Sequence, residues 1–182
     1  MSASGVRPRV VLVGAMGAGK TTVAEILAAD WGVTARDSDQ DVEAAAGRSI
    51  SDIFVDDGER AFRTLEHAAV AAALREHDGV LALGGGAVLD PDTRTALQGH
   101  LVVFLNVGLA DAVKRVGLGS ARPLLLGNVR ARIKALLDER LPVYRDVATI
   151  TVDTDGRTPQ DVASEVRRAV EHTEAGTPGG RG

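Results

Sequence analysis

Residues 10–22 read VVLVGAMGAGKTT, and the architecture turns on this stretch. Val10 to Val13 form an unbroken apolar run, the pattern of a strand buried on both faces and hence of a parallel sheet covered by helices. From Lys20 the period changes. Val23, Ile26, Leu27 and Trp31 recur at helical spacing, and Gly32 closes the helix. Gly14, Gly17 and Gly19 fall in the turn between the two patterns. The same alternation continues along the chain. Strand-like runs lie at 33–36, 80–83, 101–105 and 148–152, and helical patterns lie between them. Five strands separated by helices predict an α/β domain with a parallel sheet.

The helical segments carry their own punctuation. A short one at 42–46 stops at Gly47. The next, 50–57, opens from Ser49 with Asp52 three residues on, a capping pattern, and stops at Gly58. Residues 59–77 place Phe62, Leu65, Ala69, Ala73 and Leu74 on one face, and a short helix is expected near 92–98. Leu109, Val113 and Val116 mark another helix. The run from Ile133 to Leu141 is expected to break near Pro142. Thr158-Pro159-Gln160-Asp161 opens the last helix with a capping hydroxyl, a proline in the first turn and an acid. Residues 117–128, GLGSARPLLLGN, have no period and read as a loop, and the chain from about 173 reads as a disordered tail. The expected organisation is one domain over 1–182, with its core in 9–36, 78–116 and 129–172.

Composition narrows the function. A net charge of −4 disfavours nucleic acid or an anionic membrane as the main partner. No apolar run approaches the roughly 20 residues of a membrane span. The first nine residues lack the apolar stretch of a secretory signal. With no cysteine there is neither a disulfide nor a thiolate metal site, and the four histidines show no ligand spacing. A cytoplasmic protein, most simply a monomer, is expected.

Gly14-x-x-x-x-Gly19-Lys20-Thr21 satisfies the phosphate-loop pattern G-x-x-x-x-G-K-[ST], with the required strand before it and helix after it. Its glycines let backbone N–H groups turn inward as an anion nest, and the positive end of the following helix adds to it. Gly17, Ala18, Gly19, Lys20, Thr21 and Thr22 are therefore the expected nucleotide-binding residues. Lys20 suits the outer phosphates and the Thr21 hydroxyl suits Mg²⁺. A GTPase should carry a guanine-reading Asn/Thr-Lys-x-Asp segment, and neither Lys114 nor Lys134 lies in one. A small kinase fits, and its acceptor side begins at Asp37-Ser38-Asp39, where the second strand should end.

Further segments extend the pattern in order: GRSISDIF at 47–54, GERAFRTLE at 58–66, LGGGAV at 83–88, RPLL at 122–125 and ERLPVYRDVA at 139–148. Together with Asp37-x-Asp39 they make the chain resemble the shikimate kinase family over residues 10 to about 155. That resemblance implies a three-layer α/β/α fold with a central five-stranded parallel sheet, the phosphate-loop kinase fold of the nucleoside monophosphate kinase type. It implies phosphoryl transfer from MgATP to the 3-hydroxyl of shikimate. It also implies that Asp39 contacts the acceptor hydroxyls and serves as base, while Asp37 belongs to the magnesium side through water. Arg63 and Arg140 would hold the shikimate carboxylate, and Gly85, between Gly84 and Gly86, would offer a backbone N–H. Segment 37–66 becomes the shikimate-binding part and 117–128 a lid, from which Arg122 reaches the transferred phosphate. Arg115 would flank adenine, with Pro159 on its other face.

The residues themselves are compatible with these roles. A guanidinium fork grips a carboxylate through two parallel hydrogen bonds, and Glu66, three residues after Arg63, is placed to orient it. One departure is that strand 80–83 ends in glycines rather than an acid, which leaves Asp37 as the metal-side carboxylate. Three alternatives stay open at this level: gluconate kinase, a nucleoside monophosphate kinase, or an ATP-binding module that transfers no phosphate.

Overall fold

The computed structural model describes residues 5–119 and 128–177. Five parallel strands form one sheet: β1 (Val10–Val13), β2 (Ala35–Asp37), β3 (Val80–Ala82), β4 (Val102–Asn106) and β5 (Ile150–Asp153), in the order β2-β3-β1-β4-β5. The helices are α1 (Lys20–Trp31), α2 (Ser38–Ala46), α3 (Ile50–Asp57), α4 (Glu59–Glu76), α5 (Pro91–Leu97), α6 (Leu109–Gly119), α7 (Val129–Val147) and α8 (Pro159–Gly176). A single 3₁₀ turn covers Ala87–Leu89. The step from β1 to β2 runs one way along the sheet and every later step runs the other way. Right-handed crossovers therefore put α1 on one face and the later connecting helices on the other. After β5, α8 returns to pack on α1.

All four residues of β1 are buried, as a central strand requires. The main core joins them to Val80, Leu81, Val102, Val103 and Leu105 of the flanking strands, Leu27 of α1 and Val166 of α8. A separate, smaller cluster of Val42, Ile53 and Phe62 ties α2 and α3 to the start of α4. Strand register decides which ends of the sheet meet. Leu12 and Asp37 both pair with Ala82, so the carboxyl ends of β1, β2 and β3 lie side by side, where open α/β sheets bind ligands.

Several boundaries differ from the pattern-based expectation. The second strand is 35–37 rather than 33–36, and α2 begins at Ser38 rather than Val42. The cause is the Asp37 side chain, which accepts a hydrogen bond from the Asp39 N–H at 2.9 Å and caps the helix. Asp39 and Asp41 then sit in the first turn, where the helix dipole favours acids. Helix α7 passes through Pro142 and ends at Val147. A proline inside a helix costs about 3 kcal/mol; burial of Tyr144 and packing of Leu141, Val143 and Val147 on the main core outweigh it. Helix α6 extends to Gly119, inside the segment expected to be a loop, and the remainder of that segment up to Gly127 lies outside the described residues. The last helix continues to Gly176, so 173–176 are helical rather than a disordered tail. Among the described residues no helix is long and apolar enough to cross a membrane.

Candidate active site

The loop from Gly14 to Gly19 joins β1 to α1. Gly14 has φ +152°, and a Cβ there would stand 2.6 Å from the Leu105 carbonyl oxygen of β4, so the loop hugs the sheet only as glycine. Lys20 folds back over this loop, donating from Nζ to the carbonyls of Gly14 at 2.7 Å and Ala15 at 3.0 Å. Burial lowers its pKa to about 8, against the opposing pull of Asp39 and Asp37 and with further lowering by Arg140. Thr21 donates from Oγ1 to Asp37 Oδ2 at 3.0 Å. The two oxygens of Asp37 thus divide their work, one capping α2 and the other meeting the phosphate loop.

Lys20 and Thr21 open onto a cavity of about 490 Å³. Gly17, Gly19 and Thr22 line it from the phosphate loop, Asp37 and Asp39 from the junction of β2 and α2, and Arg63, Gly84, Gly85, Gly86 and Arg140 complete it. Asp39 sits deep enough that burial, then the neighbouring Asp37 charge, raises its pKa, while Lys20 and Arg63 pull it down. That is the environment of a carboxylate made more basic than usual. Ser38, buried beside it, accepts from the Gly84 N–H at 3.0 Å and ties the start of α2 to the glycine turn.

Arg63 projects from α4 and donates from Nη1 to Glu66 Oε1 at 2.6 Å, with Glu59 3.6 Å from Nη2. Glu66 is only 2% exposed, and burial raises its pKa while the Arg63 bond opposes that. Breaking such a buried pair leaves an uncompensated charge, so Glu66 holds the fork in one pose. The guanidinium lies against Gly86 so closely that a Cβ on that glycine would overlap it. Arg140, on α7, lies over Gly85, with Nη1 3.4 Å from where a Cβ would be, and its Nε is buried without a partner. Two guanidinium groups therefore converge on a turn with no side chains, in a form suited to a small planar anion.

Ala18, Arg115 and Pro159 line a different cavity of about 220 Å³, continuous with the loop through Gly19 and Thr22. Arg115 donates from Nη1 to the Gly17 carbonyl at 2.9 Å and from Nη2 to the Thr154 carbonyl at 3.0 Å, fixing its planar face beside the phosphate loop. Arg157 and Thr154 also line this pocket and were not anticipated. Their only sequence signal is position, just before the capped start of α8. Arg122 lies outside the described residues.

A phosphate loop at the carboxyl end of this sheet's central strand, facing a cavity that holds two arginines and an acid, defines a small-molecule kinase. A family model described as shikimate kinase matches residues 16–171. The chain belongs to the shikimate kinase family and is an ATP-dependent kinase. Among its relatives, the shikimate kinase of Salinispora tropica is 62% identical over 159 residues, spanning 87% of this chain and 95% of the relative. That of Thermobifida fusca is 57% identical over 162 residues, spanning 89% and 94%. Among solved structures, a shikimate kinase from Acinetobacter baumannii in complex with shikimate superposes with a TM-score of 0.85 at 34% identity, covering 93% of this chain and 95% of that one.

Proposed function

We propose that this chain transfers the γ-phosphoryl group of MgATP to the 3-hydroxyl of shikimate. The observation that carries the proposal is one cavity in which Asp39 lies within electrostatic reach of both Lys20 on the phosphate loop and Arg63 on the acceptor side. The phosphate-loop N–H groups and Lys20 cradle the triphosphate, and Arg115 and Pro159 flank the adenine. Arg63 and Arg140 grip the carboxylate of shikimate, and the Gly84-Gly85-Gly86 turn closes around the ring. Asp39 accepts the proton of the attacking hydroxyl as its oxygen bonds to the γ-phosphorus and the bridge to ADP breaks. Arg122 enters through the family resemblance alone, as the cation that meets the transferring group.

Magnesium fits the residues present. Among the described residues no three acidic or histidine side chains gather as a metal cage. An ion held largely by phosphate oxygens and water needs little more than one hydroxyl and one carboxylate, and Thr21 and Asp37 meet each other at the mouth of the phosphate loop. Held there, Mg²⁺ would supply neutralisation of the phosphoryl charge. The rest is positioning: two fixed forks and a fixed base bring an otherwise bimolecular transfer into line.

The test is a coupled assay of ADP release with MgATP and shikimate, with gluconate and no acceptor as the other arms. Release only with shikimate supports the proposal. Release with gluconate, or none above the acceptor-free rate, overturns it.

A further inference from the structure

Tyr144 belongs neither to the phosphate loop nor to the pair of arginines and does not line their cavity, yet its hydroxyl holds the glycine turn that does. Its ring is buried and stacks on Phe104 of β4, centroids 5.0 Å apart and planes 21° from parallel. It lies one helical turn after Arg140, so both side chains leave the same face of α7. From there the hydroxyl donates to the Gly85 carbonyl at 2.5 Å, across 59 residues of sequence. Burial pushes the phenol upward, so the group stays a donor at neutral pH.

The Gly84-Gly85-Gly86 turn has no side chains with which to hold itself. Two hydrogen bonds from elsewhere fix it: Gly84 N–H to Ser38, and Tyr144 to the Gly85 carbonyl. A trans peptide is planar, and its C=O and N–H point in opposite directions. Fixing the Gly85 oxygen toward Tyr144 therefore turns the Gly86 N–H the other way. Among the described residues neither the Gly85 nor the Gly86 N–H has a protein partner, although Gly86 is buried and lines the cavity beside Arg63 and Arg140. A buried donor without a partner is uncommon unless a ligand supplies the acceptor. Flipping this glycine–glycine peptide meets no side-chain barrier, and it would replace a donor with a carbonyl oxygen facing the anion.

We propose that Tyr144 is a positioning residue, whose hydroxyl locks the Gly85–Gly86 peptide so that its N–H faces the carboxylate of the acceptor beside Arg140. The inference rests on the reading of this cavity as the shikimate site. Substituting Tyr144→Phe keeps the stacked ring and removes the hydroxyl, which also bonds Arg140, so the lock itself is read on the Gly86 amide beside KM. The expected result is a shikimate KM raised about ten-fold, the loss of one hydrogen bond to a charged group, with kcat and the ATP KM within about two-fold. With the methyl ester of shikimate, which carries no anion, the same substitution should change KM less than about two-fold. In ¹⁵N-glycine-labelled parent protein, shikimate should shift the Gly86 amide strongly, and in the Tyr144→Phe protein it should not. Equal changes for acid and ester, equal changes in both substrates' KM, or an unaltered shikimate KM would overturn the proposal. Arg63→Ala run alongside separates the two readings. If it raises the shikimate KM while Tyr144→Phe does not, only the Tyr144 role fails; if neither does, the acceptor site itself is misassigned.

Discussion

Raising the pH from about 7 to about 9.5 should weaken nucleotide binding by about thirty-fold through Lys20 alone. Its ammonium sits in a desolvated loop with a pKa of about 8 in the ligand-free protein. Anionic phosphates favour the charged form, so affinity is greatest below that value and falls as pH rises through it. With a pKa near 8, about nine-tenths of the protein is charged at about pH 7 and about one molecule in thirty at about pH 9.5. That ratio corresponds to about 2 kcal/mol of binding free energy. An ordinary lysine with a pKa near 10.4 would lose only about a tenth of its charge over the same range. Phosphate second ionisations lie near 6, below this window, so the ligand itself contributes little. Titration calorimetry with ADP across the range measures the effect. Lys20→Arg, whose charge is fixed, should bind more weakly at neutral pH yet show a flat profile. A flat profile in the parent protein would refute the argument. The same depression acts on folding with the opposite sign. The unfolded chain binds this proton more readily than the folded one, so stability of the ligand-free protein rises with pH between about 8 and 10.4.

The division of labour in the site sets the outcome of single substitutions. Arg63→Ala should raise the shikimate KM about a hundred-fold, as expected for removing one side of a partly buried charge pair, with a smaller change in kcat. Arg122→Ala should instead lower kcat by about a thousand-fold or more with little change in shikimate KM; equal and small effects from both would refute the assignment. Asp37→Asn retains a helix cap, so its thermal midpoint should change little, while the Mg²⁺ concentration for half-maximal ADP release should rise about ten-fold. Arg115→Ala should raise the ATP KM about ten-fold and leave the shikimate KM unchanged; steady-state kinetics with each substrate varied in turn decide it.

How far the chain could be read without coordinates depended on how local each cause was. The turn from β1 to α1 was legible because a fully apolar strand, three glycines and a change of period are all contained in thirteen residues. The Arg63–Glu66 pair was visible as an i, i+3 spacing, although its burial was not. The start of α2 was misplaced because Asp-Ser-Asp-Gln-Asp reads as a polar loop until the Asp37 oxygen is seen to cap the Asp39 N–H. Pro142 looked like a helix stop because the packing of Tyr144 that overrides it lies on a distant strand and a distant turn. The strand order, the meeting of Arg63 with Gly86 and the separate pocket at Arg115 were likewise beyond pattern. Each joins residues tens of positions apart, and periodicity carries no information about such distances.

The division of the apolar interior has a consequence for how the enzyme opens. Helix α4 belongs to two clusters: Phe62 anchors its first turns to α2 and α3, and Val70, Ala73 and Leu74 anchor its later turns to the main core. Releasing α2 and α3 exposes the small cluster and breaks the Ser38–Gly84 hydrogen bond, so that excursion costs less than global unfolding and leaves the sheet intact. Arg63 lies at the junction, next to Phe62. Solvent exchange at the amides of α2 and α3 should therefore outpace that of β1 by orders of magnitude, so the cavity wall beside Arg63 opens while the phosphate loop, rooted in β1, stays formed.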